Sequence, residues 1–230
     1  MKKITLALVM LLTSFSMAYA ELGVKVGISG QIGAFEATGR EHEGSTTAAS
    51  REVSGKDDVL TAFGYTSVFV EKSLGFLPGP LGRLSIGFDH VPAALESETS
   101  STTRPDLLAK ASGAAASVVN SVKVDFEDLN TVYASLNITD NLYINYGLVS
   151  VDVKTKESLG TGSSYGDTDL SGTSMGMGYH KSFDSGFFFR ASAHVLEFDG
   201  VNMTSANNMN LIKVDQINGV SGKLSLGKSF

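Results

Sequence analysis

Apolar and polar residues alternate in eight segments of this chain. The alternation is clearest at the end of the sequence, where Val220, Leu224 and Leu226 share one face and Ser221 and Lys223 share the other. Successive side chains of a β-strand point to opposite faces, so each segment predicts a strand with one apolar face. The predicted strands cover residues 22–35, 60–74, 83–91, 122–138, 142–153, 170–181, 187–198 and 220–230.

The connections between these strands alternate between long and short. Three are short turns, and four are long and polar, namely residues 36–58, 92–121, 154–169 and 199–216. This alternation is typical of an up-and-down membrane barrel, and each apolar face has about the 9–11 residues that a tilted strand needs to cross a bilayer. We therefore predict an all-β fold, an eight-stranded antiparallel up-and-down transmembrane β-barrel, with a soluble sandwich as the alternative.

Three details of this assignment depend on weaker patterns. The facing of the second strand is open, and Glu71 points inward only if the valines of that strand point outward. The fourth strand keeps one apolar phase from Val122 to Ile138, which predicts a continuous strand that projects beyond the bilayer. Before it, the Ala-rich residues 106–119 are expected to form a short helix.

The first twenty residues have the pattern of a secretory signal peptide. Lys2 and Lys3 precede an apolar run that ends in the small-residue site Ala18-Tyr19-Ala20, which predicts export of a barrel domain covering residues 21–230. The chain has no cysteine, which excludes disulfides and thiolate metal sites. Its formal net charge is −6 and it has no Lys/Arg stripe, so we expect no nucleic-acid partner.

An export signal combined with a terminal amphipathic strand that stops on Phe230 resembles the outer-membrane β-barrels of Gram-negative bacteria. The eight-strand pattern is similar to the OmpA-like and OmpX-like barrels. The resemblance implies location in the outer membrane and contact with its lipid and lipopolysaccharide. It also implies that the barrel-assembly machinery reads Leu224, Leu226 and Phe230. Lys228 departs from the family pattern, which usually has an aromatic or apolar residue there.

Polar residues on the inner faces of the predicted strands are the candidate functional residues. An eight-stranded barrel is just wide enough to be filled by side chains, so we expect these charges to pair in a lumen network. A gate or a small polar pore is the alternative. By strand parity the network contains Lys25, Arg83, Asp89, Arg190 and His194, together with Tyr133, Asn137 and Asn145.

Two further motifs point to chemistry only weakly. Ser192 and His194 share a face, but catalysis would need an orienting carboxylate, and a lumen-facing pair would not meet lipid, so we expect no enzyme. Glu41-His42-Glu43 in the first long loop resembles a solvated patch more than a metal site, so we expect no cofactor and no metal.

Two functional hypotheses follow. The first is an envelope scaffold whose four long loops serve surface contact, adhesion or resistance, because function concentrates on loops that a rigid framework presents. The alternative is a small porin-like channel, or a carrier that guides a hydrophobic ligand through the wall. It is motivated by the inward charges and by Gly172, Gly176 and Gly178, which are expected to leave unfilled volume in the lumen.

Overall fold

The computed structural model describes residues 23–43, 51–52, 57–106, 116–160, 162–207 and 210–230. These residues form twelve strands and one 3₁₀ helix, Gly79–Arg83, and none of their helices is long and apolar enough to cross a membrane. The strands are β1 Val24–Glu43, β2 Arg51–Glu52, β3 Asp57–Ser73, β4 Leu84–His90, β5 Leu95–Glu96, β6 Ser100–Asp106, β7 Ala116–Asn137, β8 Leu142–Leu159, β9 Thr168–Ser182, β10 Phe187–Phe198, β11 Val201–Thr204 and β12 Leu211–Ser229.

Eight of these strands form a closed antiparallel ring. The order is β1, β3, β4, β7, β8, β9, β10 and β12, and β12 pairs back onto β1 from Lys25↔Ser229 to His42↔Leu211. This confirms the predicted eight-stranded up-and-down barrel. We call the end with the short turns and Phe230 the periplasmic end, following the usual arrangement of such barrels. The predicted signal peptide lies outside the described residues.

An apolar belt covers the outer surface of the ring. Outward residues such as Ile32, Leu148, Met175 and Val195 are 60–72% exposed. A continuous apolar surface of this kind is costly in water and stable in lipid. Outward and inward residues alternate as the sequence predicts along β8, β9, β10 and the end of β12.

The open facing of the second predicted strand is resolved in β3. Val70 is 40% exposed on the outer face, whereas Glu71 is 1% exposed inside the ring. Phe69 also points inward and is buried. The aromatic face of this strand therefore lines the lumen together with Glu71, because the barrel interior is filled by side chains.

The prediction of one continuous phase in the fourth strand was wrong. A β-bulge in β7 places three steps, from Glu127 to Asn130, against two steps of β8, and Asp128 adopts a φ of 51°. One extra residue moves the following side chains to the other face. Phe126 consequently packs against the lumen core, while Val132 is exposed on the belt.

Strands also occupy much of the sequence expected to be loops. Asp106 ends β6 and residues 116–119 begin β7, so the helix prediction was wrong there, while residues 107–115 lie outside the described part. β1 continues to Glu43 and β8 to Leu159. These segments pair outside the apolar belt and can carry polar residues on both faces, so no hydrophobic alternation marks them.

Inward glycines and aromatic rings fill the lumen in matched pairs. A Cβ added at Gly87 would lie 2.3 Å from the Tyr133 ring on the neighbouring strand, and at Gly178 it would lie 2.6 Å from the Tyr143 ring. The ring thus occupies the space above the glycine, and Gly172 and Gly178 do not leave the unfilled volume expected from the sequence. The directly paired residues are Gly27–Phe69, Gly87–Tyr133, Gly172–Phe198, Gly178–Tyr143, Gly219–Phe35 and Gly227–Phe188.

We expect Gly87→Ala to destabilise the barrel by about 1–3 kcal/mol, because the new methyl group displaces the Tyr133 ring in a packed interior. Gly30→Ala is the matched control, since a Cβ at Gly30 meets nothing within 4 Å. Urea unfolding of both variants in lipid vesicles measures the difference. Equal stability of the two variants would contradict the packing role of the glycine–aromatic pairs.

Candidate functional site

The lumen contains a buried ion cluster near the periplasmic end, formed by Glu71, Arg190, Lys25 and Tyr133. Arg190 donates from Nη1 to Glu71 Oε2 at 2.7 Å and from Nη2 to Oε1 at 2.9 Å. Lys25 Nζ donates to Oε1 at 3.0 Å, and the Tyr133 hydroxyl donates to Oε2 at 3.3 Å. The bidentate pair fixes the guanidinium geometry and compensates two buried charges.

Aromatic rings surround the Arg190 guanidinium. Its central carbon lies 4.9 Å from the Phe188 ring centroid, 5.4 Å from that of Tyr143 and 5.9 Å from that of Phe69. Its Nε donates to His180 Nδ1 at 3.0 Å. Cation–π contacts strengthen when water is excluded, so this cage holds Arg190 as a structural cross-brace.

A second ion cluster, formed by Asp89, Lys223, Ser67 and Gln31, lies nearer the middle of the barrel. Lys223 Nζ forms a salt bridge with Asp89, and the Ser67 hydroxyl donates to the same carboxylate oxygen at 3.1 Å. Gln31 Nε2 donates to Ser67 Oγ at 3.0 Å. This series of polar contacts thus links four strands, β1, β3, β4 and β12, across the interior.

His194 lies close to this second cluster and contacts hydroxyl groups. Its Nε2 is 2.9 Å from Ser192 Oγ, and its Nδ1 is 3.4 Å from Ser174 Oγ. Among the described residues no carboxylate hydrogen-bonds to the imidazole. The expected Ser192–His194 proximity is therefore present, but the group that would orient the imidazole for general-base chemistry is not in contact with it.

An apolar cluster fills the lumen towards the extracellular end. It consists of Val149, Val151, Val153, Leu170, Leu196 and Phe198. Phe35, Phe63 and Phe126 continue it, with ring centroids 6.2 Å apart for Phe35–Phe63 and 5.6 Å apart for Phe63–Phe126. Side chains of this kind exclude water, so this part of the lumen is predominantly apolar.

Between the two ends a cavity of about 60 Å³ remains. Tyr65, Asp89, Lys223, Ser135 and Asn145 are among its lining residues. Ser135 Oγ and Asn145 Oδ1 are buried without a protein hydrogen-bond partner. A volume of this size accommodates about four water molecules, at roughly 15 Å³ of probe-occupied volume each.

The structure places four of the five predicted lumen residues inside the barrel, divided between the two ion clusters. Lys25, Asp89, Arg190 and His194 point inward as expected, and the open case of Glu71 joins them. Arg83 does not, because it ends the 3₁₀ helix, is exposed, and donates to the Ile138 carbonyl at 3.2 Å. Strand parity does not apply within a helical turn.

Sequence reasoning missed Lys223 as a member of the network, although its place on the polar face of the last strand was visible. Asn137, expected in the lumen, is exposed beside a turn. Glu41 and His42 belong to β1 and not to a loop, while the Glu43 side chain lies outside the described part. No group of three or more metal-ligating side chains occurs among the described residues.

The terminal strand carries the proposed assembly signal on its outer face. Leu224 and Leu226 are exposed on the belt, and the Phe230 amide donates to the Val24 carbonyl at 2.8 Å. Lys228 Nζ lies 5.2 Å from the Phe230 ring centroid and 5.7 Å from that of Phe187. Lys228, which stands where the family usually has an aromatic or apolar residue, is thus accommodated between two aromatic rings. Recognition of this strand by the assembly machinery stays a prediction.

Solved structures with a similar fold are outer-membrane proteins. OprG from Pseudomonas aeruginosa has a TM-score of 0.52 at 11% identity, covering 91% of this chain and 97% of that chain. The outer membrane protease OmpT from Escherichia coli has a TM-score of 0.46 at 10% identity, covering 94% and 100%. Ail, the attachment invasion locus protein of Yersinia pestis, has a TM-score of 0.30 at 12% identity, covering 86% and 98%.

No protein-family profile matches the chain, and no curated protein matches its sequence. At such low identity the likeness to OprG concerns the fold alone. The closed ring and its apolar belt make the molecule an outer-membrane β-barrel, which confirms the location expected from the sequence. Membership of the OmpA-like or OmpX-like group stays a prediction.

We expect Glu71→Gln to destabilise the barrel by about 3–5 kcal/mol, because it leaves Arg190 buried without its anionic partner. The double variant Glu71→Gln, Arg190→Met should recover much of that loss. Glu96→Gln, which breaks an exposed ion pair with Lys123, is the control and should change little. Equilibrium unfolding in vesicles measures all three. If Glu71→Gln were as stable as the Glu96→Gln control, the bracing role of the Glu71–Arg190 pair would be disproved.

Proposed function

We propose that this chain is an outer-membrane scaffold that works through a rigid extracellular extension above a closed lumen. The observation that carries the proposal is the length of β7, whose residues 116–127 continue beyond the bulge for roughly 40 Å along the strand. The proposal includes export by residues 1–20, assembly through Leu224, Leu226 and Phe230, and contact with outer-membrane lipid and lipopolysaccharide. It includes no enzymatic role and no cofactor.

Among the described residues, much of the extension consists of paired strands, which form two small sheets. One contains the upper parts of β1 and β12 with β2 and β11, and the other contains the upper parts of β7 and β8 with β5 and β6. Paired strands present their side chains in fixed positions, which lowers the entropy cost of binding a partner. This supports surface contact as the role of the extension.

Ion pairs stabilise both sheets of the extension. Arg40 Nη2 lies 2.8 Å from Asp215 Oδ2, joining β1 to β12. Asp125 of β7 forms a salt bridge with Lys156 of β8, and this hydrogen bond holds the pKa of the Asp125 carboxyl below its usual value. A lowered pKa keeps the carboxylate charged under mildly acidic conditions, so the pair weakens only as the pH falls towards that lowered pKa.

The lumen supports the scaffold role because its contents leave little free volume. The two ion clusters, the aromatic cage and the apolar cluster occupy successive levels, and the cavity between them is about 60 Å³. The resemblance of the sequence to OmpA-like and OmpX-like barrels supports the same view, since an eight-stranded barrel is just wide enough to be filled.

We expect that trimming the extension abolishes adhesion while the barrel still folds. Gly39 pairs with Asp57 and Ser100 pairs with Val122, so short turns can join each pair after the intervening residues are removed. The measurement is adhesion of bacteria displaying the intact or trimmed chain, to each other and to an epithelial layer. Heat-modifiable gel mobility controls for folding. Adhesion by the trimmed chain, or none by the intact chain, would refute the scaffold proposal.

A second candidate function is lateral passage of a small hydrophobic molecule, favoured by an interruption in the wall. β3 pairs with β4 only from Val68 to Ser73, and among the described residues its segment 57–67 pairs with β1 alone. After His90 the chain bonds to β7 instead, with the Val91 amide donating to the Leu129 carbonyl at 3.0 Å. Within the described ranges, no main-chain ladder closes segment 57–67 on the β4 side.

Segment 57–67 of β3, which lacks a partner on its β4 side, lies next to the apolar part of the lumen. Phe63 of β3 packs edge-on against Phe126 of β7 on the inner side, and Ala62 and Gly64 lie exposed on the outer side. An apolar molecule displacing these rings would pass from the apolar cluster towards lipid without crossing either ion cluster. This arrangement supports a hydrophobic route more than an ionic one.

We expect Phe126→Ala to increase several-fold the transfer of the fluorescent probe N-phenylnaphthylamine into proteoliposomes, because it removes one ring from the inner side of the gap. Phe183→Ala, at an exposed periplasmic turn, is the control. Ion conductance in planar bilayers should stay unchanged in both. Equal probe transfer by Phe126→Ala and the control would count against a lateral route.

A further inference from the structure

Two lysines lie at the periplasmic rim of the outer surface, on the strands that flank β10 on either side. Lys181 lies near the end of β9, opposite Phe189 of β10, and Lys228 lies near the end of β12, opposite Phe187 of β10. Both lysines are exposed. Two strand spacings and two residues along the strand separate them, which puts their attachment points roughly 12 Å apart. Phe187 and Phe189 project outward between them.

These lysines lack the carboxylate partners that other cations of the chain have. In the lumen and the extension, Lys25, Arg40, Lys123, Lys154, Lys156, Arg190 and Lys223 each form an ion pair. Within the described part of the chain, neither Lys181 nor Lys228 forms an ion pair with a carboxylate. Lys228 contacts only two rings, Phe187 and Phe230.

The opposite rim of the belt has the opposite charge. Glu127 of β7 pairs with Asp152 of β8, and Asp152 pairs with Asp169 of β9, so three carboxylates lie side by side just beyond the apolar residues. The charged residues next to the apolar belt are therefore lysines at the periplasmic ends of β9 and β12, and carboxylates at the extracellular side of β7, β8 and β9. A cationic rim flanked by aromatic rings is complementary to phosphate groups at the membrane interface.

We propose that Lys181 and Lys228, with Phe187 between them, bind the phosphate groups of an anionic phospholipid in the periplasmic leaflet. The ammonium groups pair with phosphodiester oxygens, while Phe187 and Phe189 pack against the glycerol and the upper acyl chains. The spacing of the lysines favours a lipid with two phosphates, such as cardiolipin, over a lipid with one. The site is independent of the extension and of the lateral route.

The test uses the folded chain in nanodiscs of phosphatidylcholine, with and without cardiolipin or phosphatidylglycerol. Native mass spectrometry counts the lipids that stay bound after the nanodisc is removed. We expect preferential retention of cardiolipin, falling about fivefold for each lysine neutralised in Lys181→Gln and Lys228→Gln. Lys213→Gln, a cation of the extension, is the control and should retain the lipid. Equal retention by the double variant and the control would overturn the proposal.

Two further measurements separate lipid binding from poor folding of the double lysine variant and from simple anion binding. Phe187→Leu leaves both charges in place and should weaken retention less than the double lysine variant, which covers the case in which that variant folds poorly. Free glycerol phosphate, added in excess, should not displace the lipid, because it lacks the acyl chains that pack on the rings. Displacement by glycerol phosphate would show a simple anion site and would also overturn the proposal.

Discussion

Closure of the sheet is the constraint on which the rest of this molecule depends. In lipid no water is available to satisfy main-chain N–H and C=O groups, so the pairing of β12 with β1 removes two edges that a bilayer does not tolerate. Closure in turn encloses a narrow lumen, whose contents must fit the ring. The belt, the ion clusters and the glycine–aromatic pairs are consequences of this single requirement.

Filling the lumen poses a packing problem and an electrostatic problem together. Glycine opposite an aromatic ring lets a large side chain lie flat against the wall, as Tyr133 does over Gly87. Tyr133 then reaches Glu71, which also holds Arg190 and Lys25. The same ring therefore fills space and satisfies a buried carboxylate, so packing and charge compensation are coupled at this level of the barrel.

The sequence predicted the barrel well because lipid imposes a two-residue period on each spanning strand. The facing of β10 and β12 followed from that period alone, and so did the inward direction of Lys25, Asp89, Arg190 and His194. The failures occur where the period does not apply. A single extra residue near Asp128 reverses the facing of β7, and the 3₁₀ turn before Leu84 removes Arg83 from the lumen. Strands beyond the membrane are not in contact with lipid, so they need no alternation of apolar and polar residues and cannot be predicted from it.

In the part of the chain that the structure describes, the upper half of β3 has a main-chain partner on one side only. β4 ends at His90, well below the height that β3 reaches, and the chain then crosses to β7. Unpaired main-chain groups at this height favour local opening, since fewer hydrogen bonds must break there than elsewhere in the ring. The contact that bridges the inner side is between two rings, Phe63 and Phe126, and an apolar contact is one that a hydrophobic molecule can replace without loss of hydrogen bonds.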